Sequence, residues 1–317
     1  MRVLVSLTAI VLLIGADARS RRDVWPSARS CHSTVFDVRT GALLVYGGAS
    51  DFCGKSIVAD SSLWSWQGSS WQRMSAALPG LREDALLAID TRRNVLVLYG
   101  GRNGPSVHRD TWEWDGNTWT RRAEHEGPGP VEHSAMAYDE ARGRVVLFGG
   151  GTRTGEFRSA TWEWDGERWE RRVVGGPAAR VGHSMVFASG SVMLYGGFNQ
   201  SSSLRDLWRW DGNAWTRISE SGPTFTEGQA LAATADGLLV TGTGLGQNSV
   251  GAPLRIWRLR NGGWQQVADN GPPNRVGQAI SFDAHRNALI VTGGAGGSDA
   301  DGRLSVWEWS GARWQQR

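Results

Sequence analysis

Tryptophan spacing constrains this chain more than any other feature. Of its 18 Trp, 17 fall into one recurring pattern. Near-adjacent positions occur at Trp64/Trp66, Trp112/Trp114, Trp162/Trp164, Trp208/Trp210, Trp257/Leu259 and Trp307/Trp309. A lone Trp follows each, at 71, 119, 169, 215, 264 and 314, always seven residues after the first of the pair. The lone positions recur every 46 to 50 residues, and only Trp25 lies outside the pattern. Six copies at such a period mark a repeat architecture.

Each copy carries strand signals. In the third, His133 to Tyr138 reads as a short strand and Asp139 to Gly143 as a turn. Arg144 to Phe148 is a strongly apolar strand stopped by Gly149-Gly150, Ala160 to Trp164 alternates with period two, and Trp169 opens a fourth strand. No segment shows helical periodicity. Many of the 43 Gly sit at turn positions. Gly41, Asn94, Gly143, Gly190, Gly237 and Asn287 mark one hairpin; Gly68, Gly116, Gly166, Gly212, Asn261 and Gly311 mark another. These residue types tolerate positive φ. Gly-Gly ends the second strand in five copies, and Thr241-Gly242 stands there in the fifth. With no helix following, these glycines do not read as a phosphate-binding loop.

Period-two spacing puts both Trp of a pair on one sheet face. A single four-stranded sheet cannot bury that face, whereas sheets stacked radially cover one another. The expected fold is all-β: a six-bladed β-propeller of four-stranded antiparallel blades over residues 26–317. Its copies run approximately 26–74, 75–122, 123–172, 173–218, 219–267 and 268–317. A parallel β-helix is the competing architecture, but its repeats are shorter. Burying one Trp removes roughly 150–250 Å² from water, so the set reads as core first. Sugar stacking on these indoles is the sharper, competing reading.

Residues 1–18 have the form of a secretory signal peptide, with Arg2, an apolar run from Val3 to Ile14 and an Ala16-Asp17-Ala18 cleavage site. Residues 19–25 follow as an N-terminal segment. The run is too short to span a bilayer of ~30 Å. A secreted or periplasmic protein is expected, with no membrane insertion after cleavage, and a monomer. The net charge of +3 is mild, and the 34 Lys+Arg are interleaved with acids, which argues against a nucleic-acid partner. Cys31 and Cys53 are the only cysteines. In an exported chain they read as a disulfide pinning the first long loop, with two unpaired thiols as the alternative.

The pattern resembles the kelch repeat, as in the central propeller of galactose oxidase. Its marks are Arg-x-x-His-Ser (Arg29 to Ser33, Arg180 to Ser184), an apolar strand ending in Gly-Gly, and Asp-x-Trp-x-Trp-Asp-Gly-x-x-Trp (Asp110 to Trp119, Asp206 to Trp215). The resemblance implies blades around a central channel, with ligands met at the channel mouth and the strand 2–3 loops. The fold hosts unrelated functions, so the resemblance says little about activity. The copper chemistry of galactose oxidase is not expected: Tyr46, Tyr99 and Tyr195 precede Gly-Gly as repeated structural residues, and Tyr138 ends a first strand.

The lead-in to the first strand supplies the candidate site. His32, Asp84, His133, His183, Gln229 and Gln278 read as one repeat position, with Arg29, Arg180 and Arg275 three residues before three of them. Ligand binding by Arg29, His32, His133, Arg180, His183 and Arg275 is one reading, since guanidinium groups suit carboxylates and sugar hydroxyls. The other is that these residues hold the blades together. No metal or cofactor is expected: the His lack metal-ligand spacing, and Asp299-Ala300-Asp301-Gly302 alone does not make a calcium loop. The longest strand 2–3 loops, Ala49 to Ser62 and Thr243 to Arg255, are further recognition candidates. The function expected is a non-catalytic binding protein for a protein or carbohydrate ligand. The alternative is a carbohydrate-active enzyme such as a sugar-acid mutarotase or epimerase. It would hold a carboxylate with Arg29, Arg180 or Arg275 and move protons with Glu132, His133 or His183.

Overall fold

Short β-forming runs between Gly and Asn turns become 26 strands, with no helix among the described residues of the computed structural model. These are residues 25–50, 61–75, 78–225, 230–242, 251–295 and 302–317. Blade 1 comprises β1 (Ser33–Asp37), β2 (Ala42–Tyr46), β3 (Leu63–Trp66) and β4 (Trp71–Ser75). Blade 2 has β5 (Leu86–Asp90), β6 (Val95–Tyr99), β9 (Thr111–Trp114) and β10 (Trp119–Ala123). Its loop carries a two-stranded ribbon, β7 (Arg102–Asn103) and β8 (Ser106–Val107). Blade 3 has β11 (Ala135–Asp139), β12 (Arg144–Phe148), β13 (Thr161–Trp164) and β14 (Trp169–Arg172). Blade 4 has β15 (Ser184–Ala188), β16 (Ser191–Phe198), β17 (Ser203–Trp210) and β18 (Trp215–Ser219). Blade 5 has β19 (Ala230–Thr234), β20 (Gly237–Gly242), β21 (Arg255–Arg260) and β22 (Gly263–Ala268). Blade 6 has β23 (Ala279–Asp283), β24 (Ala288–Thr292), β25 (Val306–Trp309) and β26 (Trp314–Gln316). Within each blade, sequential strands pair antiparallel. This is an all-β six-bladed propeller, and all twelve marked hairpin Gly and Asn positions have positive φ.

The core lies between blades. Leu44, Tyr46 and Leu63 of blade 1 pack with Leu96, Leu98, Trp114 and Trp119 of blade 2. Val97 and Tyr99 of blade 2 pack with Leu147, Trp164 and Trp169 of blade 3, and the pattern continues round the ring. Polar clasps join the same surfaces. Trp164 Nε1 donates to Glu113 of blade 2 at 3.0 Å, and Trp169 Nε1 donates to Thr111 Oγ1 at 2.8 Å. One blade on, Trp210 reaches Glu163 at 2.8 Å and Trp215 reaches Thr161 at 2.9 Å. Tyr99 donates to Gly129 O and Tyr195 to Pro223 O, tying strand 2 to the connection that leads to the next blade.

Blades 1 and 6 close the ring as complete units. Leu43, Val45, Trp66 and Trp71 pack against Ile290, Leu304 and Val306. Trp25, the one indole outside the repeat, is the clasp. It lies edge-on to Trp66 at 5.4 Å and donates from Nε1 to Leu304 O at 2.8 Å. Leu304 N donates to Pro26 O at 2.8 Å, and Thr34 and Ser281 hydroxyls meet at 2.8 Å across the innermost strands.

Candidate functional site: the channel mouth

Each blade's first strand faces the channel, and in blades 1 to 4 the residues leading into it line the mouth. In blade 3 this strand begins at Ala135, two residues later than expected, because His133 has φ 53°. Cys31 (φ 53°), Asp84 (φ 54°), Gly182 (φ 64°) and Gly277 (φ 66°) occupy the same place in other blades. Backbone bonds link these positions around the mouth: Cys31 N to Gly277 O (2.7 Å), Asp84 N to Cys31 O (2.8 Å) and Gly182 N to His133 O (2.8 Å).

Strand register corrects the alignment expected from sequence. Ser33, Leu86, Ala135, Ser184 and Ala279 pair with Tyr46, Tyr99, Phe148, Tyr195 and Thr292. Counting back from these pairs, His32 is equivalent to Ala85, Ser134, His183 and Gln278, while Asp84 and His133 stand one residue earlier. Gln229 lies outside the described residues. The same register uncovers Arg82, which the sequence reading missed, as the equivalent of Arg29, Arg180 and Arg275. Taking Asp84 as the counterpart of His32 had put Arg82 out of step.

The arginines are blade fasteners. Arg180 is 1% exposed and pairs through two bonds with Asp206, at 2.7 and 2.9 Å. It also donates to Gly196 O at 2.8 Å. Arg82 repeats this with Asp110 (2.6 and 2.8 Å) and Gly100 O (2.8 Å). Asp110 and Asp206 further accept Trp112 and Trp208 Nε1 at 2.7 and 2.6 Å. Burial raises both carboxyls, but these donors outweigh it and hold them below the usual carboxylate range. Arg29 donates to Gly47 O at 2.9 Å, and Arg275 to Ser305 Oγ at 3.1 Å. The carbonyls of these arginines accept from the preceding blade: Gly48 N bonds Arg82 O at 2.8 Å, Gly150 N bonds Arg180 O at 2.9 Å, and Gly294 N bonds Arg29 O at 2.9 Å. A Cβ on Gly149 would stand 2.9 Å from Arg180 O, so the Gly-Gly step is what lets neighbouring blades approach.

His32 and His183 do line the mouth, but as clasps. His32 Nε2 meets Thr292 Oγ1 of blade 6 at 2.7 Å, and His183 Nε2 bonds Phe148 O of blade 3 at 3.1 Å. Burial, then Arg29 or Arg180 nearby, lowers each imidazole to about 3, so both are neutral. A carbonyl only accepts, so His183 carries its proton on Nε2.

The remaining mouth residues, Asp84 and His133, join them around a cavity of about 270 Å³. Asp84 lies 3.4 Å from Arg102, and Arg153 lies 3.9 Å from Glu132. Burial raises the Asp84 carboxyl against the lowering pull of His133 and Arg102, and Glu132 adds to the rise. His133 is exposed. The mouth thus brings His32, His133 and His183 together, and leaves Arg29, Arg180 and Arg275 out of its lining. Among the described residues no group of three His, Cys, Asp or Glu could hold a metal. Residues 1–24, Cys53, most of both long loops, and Asp299 to Asp301 lie outside the described residues.

No curated protein matches the chain. The family model described as KLHDC2/KLHL20/DRC7 Kelch-repeats domain matches residues 115–294, more than half of the chain. With six four-stranded blades, Arg-x-x-His in blades 1 and 4 and Gly-Gly in five of the six, the chain belongs to the kelch-repeat family.

Proposed function

We propose that this is an exported kelch propeller that binds a protein partner through its channel mouth, with Asp84 and His133 as the contact residues. The kelch architecture suits protein interaction. The observation that carries the reading is backbone strain at the mouth. Blades 4 and 6 place Gly182 and Gly277 where positive φ is required, whereas blades 1, 2 and 3 place Cys31, Asp84 and His133 there, and of these Asp84 and His133 line the mouth cavity. Polar residues held in strained conformations at a concave site cost stability and point to use of their side chains. No comparable observation favours the mutarotase or epimerase reading, because none of its three arginines is free to clamp a substrate carboxylate.

The test is an Asp84→Gly/His133→Gly variant, which fits the backbone and removes both side chains. Its stability should match or exceed the parent's. It should lose any partner that the parent captures from the extracellular fraction of its own cells. A variant that retains the same partner overturns the reading. Export and the Cys31–Cys53 bridge belong to the same proposal. The secreted form should begin at Arg19, and a non-reducing peptide map should join the two cysteines.

A further inference from the structure

Blade 3 lacks a fastener that blades 2 and 4 both have. There, Asp110 and Asp206 stand two residues before Trp112 and Trp208 and accept their indole N–H groups. In blade 3 the aspartate is Ala160 and its arginine partner is Val131. Both halves of the pair are gone. The Trp162 indole N–H has no hydrogen-bond partner among the described residues, and the ring is half-buried against the core between blades 2 and 3.

Ala160 and Trp162 border a cavity of about 410 Å³ on blade 3, while Val131 packs into the core. Trp162, Ala160, Phe157, Arg158, Arg171 and Glu156 line it. Arg171 pairs across the ladder with Trp162 and has no ion-pair partner among the described residues. Its counterparts Arg121 and Arg217 lie over Trp112 and Trp208 at 6.0 and 5.7 Å. Arg158 is tied by one donor to Pro128 O at 2.9 Å.

We propose that this cavity binds a carboxylate-bearing saccharide, the ligand's carboxylate taking the place of the missing aspartate. The indole N–H is open to the cavity and can donate to an acceptor there, and two guanidinium groups beside it favour an anionic one. Trp162 and Phe157 offer apolar ring surface for the C–H face of a sugar. Glu156 accepts from hydroxyls and disfavours a ligand that is only anionic. Carboxylate, hydroxyls and a flat apolar face together describe a uronic acid. The site lies apart from the channel mouth and does not depend on the role proposed for Asp84 and His133.

The test is calorimetric titration and saturation-transfer NMR with galacturonate, glucuronate and their short oligomers. Galactose, glucose and acetate are the controls. The uronates should bind the parent at least tenfold more tightly than the neutral sugars or acetate. Trp162→Phe, which keeps the ring and deletes the N–H, should weaken binding about tenfold. Ala160→Asp restores only the carboxylate that accepts the indole N–H in the sister blades, and should abolish binding while the unfolding midpoint is kept. The proposal is overturned if no uronate binds the parent, if neutral sugars or acetate bind equally well, or if folded Ala160→Asp binds as the parent does.

Discussion

Five buried indole N–H groups have no hydrogen-bond partner among the described residues: that of Trp66, and those of the lone Trp71, Trp119, Trp264 and Trp314. Each of the four lone Trp faces a preceding blade whose third strand has Val306, Leu63, Leu207 or Ile256 where Thr111 and Thr161 stand elsewhere. Trp169 and Trp215, which face those threonines, are satisfied. A buried donor without a partner costs about 1–3 kcal/mol. Thr161→Val should therefore destabilise the protein by about that amount, measured by urea unfolding. Val306→Thr, nearly isosteric, should raise the thermal midpoint by giving Trp71 an acceptor. His32 and His183 set the acid response. Their folded pKa of about 3 lies below the unfolded value, so the unfolded chain takes up the protons. Stability should be full above about pH 6.5 and fall as pH drops toward 3. Replacing both His by Gln should flatten that slope, as read from unfolding midpoints across the pH range.

The strands and hairpins were legible in the sequence because their determinants are local: alternation, β-forming residues and Gly or Asn where positive φ is needed. The site was only partly legible. The mouth position was found, but Asp84 and His133 were aligned with His32 although they stand one residue earlier. A one-residue slip moves a side chain to the other face of a strand, and only the pairing register reveals it. The partnership of Arg82 with Asp110 and of Arg180 with Asp206 spans 28 and 26 residues and also needed the fold. Arg180→Ala should cost about 3–5 kcal/mol, because it leaves Asp206 without its cation and a glycine carbonyl without its donor. The signal the sequence did offer is the joint loss of Arg and Asp in the third copy, at Val131 and Ala160.

At the scale of the whole molecule, no blade owns a core among the described residues. Every apolar cluster is shared across a blade boundary, and the last boundary, between blades 6 and 1, is sealed by Trp25. Stability is therefore a property of the closed ring. Urea unfolding of the parent, Thr161→Val and Trp25→Ala, followed by Trp fluorescence and far-UV circular dichroism, tests this most directly. The account predicts one coincident transition in each, with both variants shifting the whole of it to lower urea although their sites lie on different blade boundaries. Separate transitions for different blades, or a Trp25→Ala effect confined to part of the unfolding amplitude, would contradict it.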